Sequence, residues 1–152
     1  MQKHDFYQSL VKQTESLIGG ESNIIANMAN ISALLFTSLE DVNWAGFYFM
    51  DSPSELVLGP FQGNPACIRI PVGKGVCGTA AATEQTQLIS DVHAFDGHIA
   101  CDAASNSEIV VPIMKNGSVF AVLDIDSPSI GRFDTDDQAG LEALVKCLEA
   151  SL

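Results

Sequence analysis

Four residues, Lys115-Asn116-Gly117-Ser118, constrain the fold more than any other feature of the chain. Asn-Gly accepts the positive backbone angles of a two-residue hairpin turn. It separates two apolar runs, Glu108 to Met114 and Ser118 to Asp126, so these must be neighbouring antiparallel strands. Counting outward from the turn places position 108 near 125, within reach of Asp124 and Asp126. These two aspartates are separated by one residue and leave the same strand face, while Leu123 and Ile125 point the other way, towards a helix-covered core.

The rest of the chain builds around this hairpin. Phe6, Leu10, Val11, Leu17 and Ile18 recur at helical spacing until Gly19-Gly20 stops them. Ser22 is positioned to cap a second helix carrying Ile24, Ile25, Met28, Ile31, Leu35 and Leu39. Trp44 to Met50 and Glu55 to Phe61 read as a second hairpin about Asp51-Ser52-Pro53-Ser54. Ala66 to Val72 alternates as a further strand, Thr79 to Thr83 suits a short helix, and Gln87 to Val92 is a short strand. Asp134 or Thr135 then caps a last helix with Leu141, Leu144, Val145 and Leu148 on one face. Helices at both ends and antiparallel strands between them indicate an α+β domain. With no linker or repeat, residues 1–152 are expected to form one domain.

Charge narrows the function. Nineteen acidic residues against seven basic ones give a formal net charge of -12. Such a surface repels phosphates, so neither nucleic acid nor anionic membrane is expected as a partner. No apolar run has the length of a membrane span, and MQKHDFYQSL lacks the basic end and apolar block of a signal peptide. The expectation is a cytoplasmic protein, whose cysteines sit in a reducing compartment.

The chain has four cysteines. Cys101 lies in residues 93–107, a stretch with no clear period and of a length that usually serves function. His98 and His93 are near it in sequence, and either would lower its pKa if protonated and close. The competing reading is a small buried hydrophobe. Cys67 alternates with Ile68, Arg69 and Ile70, and packing and chemistry are equally open for it. Cys77 follows Gly73-Lys74-Gly75-Val76 at a helix start, where the dipole favours a thiolate. Cys147, between Val145 and Leu148, reads as core. The spacings C-x9-C and C-x23-C lack the short knuckle of a structural zinc site, so no metal is expected.

Glu108, Asp124 and Asp126 form an acidic group that is either a solvated face or the floor of a pocket. Trp44 and Tyr48 are four apart on one strand, and could be core or a pocket wall.

Taken together, the segments Asp91 to Ile113 (DVHAFDGHIACDAASNSEIVVPI), Asn43 to Tyr48, Gly75 to Thr79 and Leu123 to Ser127 closely resemble the free methionine-(R)-sulfoxide reductases, which are single-domain GAF proteins. The resemblance spans essentially the whole chain, and the GHIACDAASNSEIV run is specific to it. It implies a GAF-like six-stranded antiparallel sheet with the N- and C-terminal helices packed on one face, a homodimer, and reduction of free methionine-(R)-sulfoxide to methionine. By the same resemblance Cys101 is the attacking cysteine, Cys67 the resolving one, and Cys77 a third cysteine that helps resolve or relay a disulfide. Trp44, Tyr48, Asp91, Glu108, Asp124 and Asp126 are then the substrate pocket, and crowding makes Glu108 the candidate proton donor. No bound cofactor is implied; thioredoxin is the expected reductant, with NADPH acting indirectly through thioredoxin reductase. The alternative is a GAF module that senses a small molecule without turnover, which leaves three cysteines without a role.

Overall fold

The computed structural model describes residues 2–97 and 104–152. Six strands form one antiparallel sheet: β1 (Trp44–Ser52), β2 (Glu55–Gly63), β3 (Arg69–Pro71), β4 (Gln87–Ile89), β5 (Ser107–Lys115) and β6 (Ser118–Ser127). Their order is β3-β2-β1-β6-β5-β4. Both edge strands are three residues long, which leaves little free edge for another chain to pair with.

On one sheet face, helices α2 (Ile24–Ser38) and α4 (Thr135–Glu149) bury Met28, Ile31, Leu35, Leu141 and Leu144, and α1 (Lys3–Ile18) packs Tyr7 and Leu10 into the same core from its place on α4 and α2. That face presents Ala45, Phe47, Ile109, Val111, Leu123 and Ile125. Each fully buried aliphatic or aromatic side chain contributes about 1.5–3 kcal/mol, so this core supplies most of the stability. The fourth helix, α3 (Gly75–Thr83), covers the opposite face, packing Val76, Cys77, Ala80 and Ala81 onto Trp44, Tyr48, Val110 and Val122. The expected fold class holds, with the terminal helices on one face, and α3 adds a second core on the other. No described helix is long and apolar enough to cross a membrane.

Several boundaries differ from the sequence reading. The cap of α2 is Asn23, whose side chain accepts from the Ala26 N–H at 3.0 Å, rather than Ser22. Leu17 is exposed, because the buried stripe of α1 runs through Tyr7, Leu10, Thr14 and Ile18. Of the strand expected over 66–72, only Arg69–Pro71 pairs regularly with β2, so Cys67 precedes the strand instead of sharing it with Arg69. The short helix begins at Gly75, four residues before the expected start, which places Cys77 in its first turn. The strand expected over 87–92 ends at Ile89 and a 3-10 turn follows at Val92–Ala94. At α4 the reading of Asp134 as cap is correct: it forms a capping box with Asp137.

Candidate active site

The site begins with an irregularity in the Asn-Gly hairpin. Asn116 and Gly117 both have positive φ, and Lys115 pairs with Ser118 as the turn demands. The register then slips, because Met114 pairs with Val119 but Ile113 pairs with Ala121. Phe120 is the extra residue, and from there Glu108 stands opposite Asp126 rather than near 125. A regular ladder would have put Glu108 on the face of Ile125, in the helical core. The bulge instead brings Glu108, Asp124 and Asp126 to one face.

Across the sheet, Trp44 pairs with Asp126 and Gly46 with Asp124, so the indole stands beside the acids. Trp44 is buried and stacks on Phe61 (ring centroids 5.1 Å apart) and on Tyr48 (6.0 Å). Phe61 closes over Gly46, where even a methyl group would lie 2.2 Å from the Phe61 Cβ. The Trp44 Nε1–H donates to the Asn64 carbonyl at 3.0 Å. The Tyr48 hydroxyl donates to the Cys67 carbonyl at 3.0 Å and so holds the segment that carries Cys67. The sequence reading missed Phe61, which comes to stand opposite Gly46 past register shifts between Met50 and Ser52 and between Gly46 and Tyr48.

Over this face lies Cys77. Its sulfur and carboxylate oxygens of Glu108 and Asp124 are all within 4.8 Å of one another, and all three residues are buried. Burial, reinforced by Asp124 and Asp126, pushes the Glu108 carboxyl well above the ordinary carboxylate range. Burial likewise pushes the Cys77 thiol up, and the negative charge of Asp124, Glu108 and Asp126 adds to it. The helix start pulls the other way, but a dipole contribution of about 0.3–1 kcal/mol is small beside the burial of an anion among carboxylates. These three donor atoms are the one group among the described residues that a divalent cation could use, and an ammonium group would meet the same carboxylates.

The remaining predicted residues are placed as follows. Asp91 caps the 3-10 turn, and its carboxylate accepts from the His93 backbone N–H and meets the His93 ring, both at 3.0 Å. These contacts with His93 hold its pKa below the usual range, and they do not join it to the acidic cluster. Cys67 is half-buried and disulfide-bonded, whereas Cys77 and Cys147 are free. Cys147 packs at the margin of the helical core. Cys101 and His98 lie outside the described residues. Both flanks of their segment are tied down: the Val92 N–H donates to the Asn106 carbonyl, and the Asn106 N–H to that of Ser127.

A six-stranded antiparallel sheet with a buried polar site beneath a short helix defines a class of small α+β domain. A sequence model described as "GAF domain" matches residues 26–147, and the chain belongs to that family. A free methionine-R-sulfoxide reductase of Escherichia coli (strain K12) is 56% identical over 152 residues, covering 100% of this chain and 92% of that protein. The free methionine-R-sulfoxide reductase of Neisseria meningitidis, solved in complex with its substrate, is 44% identical, with a TM-score of 0.95 over 99% of this chain and 90% of its own. The fRMsr of Staphylococcus aureus, also solved with substrate, is 55% identical, with a TM-score of 0.92 over 96% of this chain and 95% of its own. Within the GAF proteins, the chain therefore belongs to the free methionine-R-sulfoxide reductase family.

Proposed function

We propose that the protein reduces free methionine-(R)-sulfoxide to methionine. The observation that carries this reading is the gathering of Glu108, Asp124 and Asp126 on one sheet face beside the Trp44 indole. Ionised carboxylates bind the ammonium of a free amino acid, and the indole offers apolar contact to the S-methyl group. The relatives that carry this activity in their names support it.

In the proposed reaction the Cys101 thiolate attacks the sulfoxide sulfur while Glu108 protonates the sulfoxide oxygen. The oxygen passes to Cys101, methionine leaves with the sulfur electron pair, and Cys101 becomes a sulfenic acid. Cys67 condenses with the sulfenic acid, releasing water and forming a disulfide. A dithiol such as thioredoxin then exchanges with that disulfide and restores both thiols, its own electrons coming from NADPH through thioredoxin reductase. Disulfide-bonded Cys67, with Cys77 and Cys147 free, fits this pairing. The chemistry needs no resident cofactor, and we assign it to a homodimer in the cytoplasm. Asp91 is assigned to the pocket by the resemblance, and its engagement with His93 lowers its pKa and favours the ionised form.

Trapping tests the sequence of steps. Cys67→Ser exposed to free methionine-(R)-sulfoxide should release about one methionine per subunit, stall with thioredoxin as reductant, and carry a dimedone adduct on Cys101. Cys101→Ser should release none, because a hydroxyl is a far weaker nucleophile. Sustained turnover by Cys101→Ser would overturn the assignment of the nucleophile.

A further inference from the structure

The third cysteine of the motif sits where a redox relay is hard to build. Cys77 lies in the first turn of α3, 4% exposed, and the helix is fixed tightly at that point. The Gly73 N–H donates to the Gly78 carbonyl at 2.8 Å, and a side chain at Gly78 would lie 2.4 Å from the Pro71 carbonyl. The helix start therefore has little room to swing its thiol out. Among the described residues, the titratable groups facing Cys77 are Glu108 from β5, Asp124 and Asp126 from β6, and Tyr48 from β1. Three of these are carboxyls, and the Cys77 sulfur lies within 4.8 Å of a carboxylate oxygen of Asp124 and of Glu108.

A thiol within reach of a carboxylate can act as its donor. We propose that Cys77 stays a thiol throughout turnover and is a positioning residue: its S–H donates to Asp124, holds that carboxylate ionised, and leaves the shared proton of the cluster on Glu108. The donated hydrogen bond favours the anion of Asp124 over its acid form, so of two crowded carboxyls the proton resides on the other. This fixes both tasks of the pocket with one contact. Asp124 meets the substrate ammonium as a carboxylate, and Glu108 faces the sulfoxide oxygen as an acid. The burial that makes Cys77 a poor nucleophile is what suits it to this role.

The proposal rests on the reductase reading, so the wild type and Cys101→Ser are measured alongside. An inactive wild type would defeat that reading and not this one specifically. The test compares Cys77→Ala, which removes the donor, with Cys77→Ser, which keeps one. Cys77→Ala should still turn over repeatedly with thioredoxin, with kcat roughly tenfold lower. Its alkaline limb should move to higher pH, because the doubly ionised cluster loses a stabilising donor and holds its last proton longer. Cys77→Ser should recover most of the rate and the wild-type limb. In the wild type, thiol alkylation during turnover should find Cys77 reduced at every time point. A stall after one methionine in both variants, or Cys77 caught in a disulfide, would overturn the proposal. So would a lower rate in Cys77→Ala with an unmoved alkaline limb, which would leave only a structural role.

Discussion

Replacing Asp124 by Asn tests the acidic cluster as a recognition device. Asp124 is 5% exposed, stands opposite Val110 and Gly46 in the ladder, and has a carboxylate oxygen within 4.8 Å of both the Cys77 sulfur and a Glu108 oxygen. The substitution keeps the shape and removes one charge. If Asp124 binds the substrate ammonium, losing that charge-assisted contact lowers kcat/KM for the free amino acid by about 2–5 kcal/mol, or tens to thousands of fold. N-acetyl-methionine sulfoxide has no ammonium, so its already low kcat/KM should change much less, and discrimination between the two should narrow. Asp124 is also the second cause, after burial, of the raised Glu108 pKa. Its removal should let Glu108 lose its proton at lower pH, moving the alkaline limb of the rate profile down. Without substrate, relief of like-charge crowding should leave the variant at least as stable as wild type, with a gain of roughly 0.2–1 kcal/mol. The assay is kcat/KM for free and N-acetylated substrate across pH, with denaturant unfolding of the free protein. Equal wild-type values for the two substrates, or unchanged discrimination in the variant, would refute the reasoning.

Glu108→Gln should lower kcat far more than it raises KM, since Gln keeps the shape and loses the transferable proton. The folded-state pKa of Glu108 lies above its ordinary 4.5, so its contribution to stability is full below that value and is lost as pH rises through the folded pKa; unfolding measured against pH should show Glu108→Gln losing less stability towards alkaline pH than wild type. Gly46→Ala would drive a methyl group into the Phe61 Cβ and Cα and the Pro60 carbonyl, at 2.2, 2.7 and 2.9 Å, and the strands must part. It should cost about 1–3 kcal/mol in denaturant unfolding, and shift the fluorescence of the only tryptophan, Trp44, by disturbing its stack. Asp134→Ala should lose about 1 kcal/mol of α4 capping. Contact with Lys3 lowers the Asp134 pKa from 3.8 to about 2, so stability that is present above 3.8 in wild type and lost as pH falls towards 2 should be absent from the variant in acid titrations.

The parts of the fold set by local chemistry were legible in the sequence. Asn116-Gly117 announced the β5–β6 hairpin, and apolar periodicity announced α1, α2 and α4. The alternation of Asp124 and Asp126 with Leu123 and Ile125 separated the site face from the core face. The bulge at Phe120 was not legible, because turn chemistry fixes the first pair of a hairpin and says nothing about an extra residue further along. That one residue decides the face on which Glu108 emerges. Nor could spacing show that α3 crosses the sheet and lowers Cys77 onto the carboxylates, since that contact joins residues far apart in the chain. The start of α3 was misread because Gly73, Gly75 and Gly78 weaken every helical signal there, and tertiary packing outweighs propensity. Asp91 stood in the motif beside the pocket residues, yet its carboxylate is engaged by the local turn at His93.

The most direct test of the central claim is methionine release, with thioredoxin recycling, from the separated R and S epimers of free methionine sulfoxide and from the R epimer inside a peptide. Sustained release from the free R epimer alone is the predicted result. Equal release from the peptide, or from the S epimer, would contradict a pocket built around the ammonium group of a free amino acid and the R configuration at sulfur.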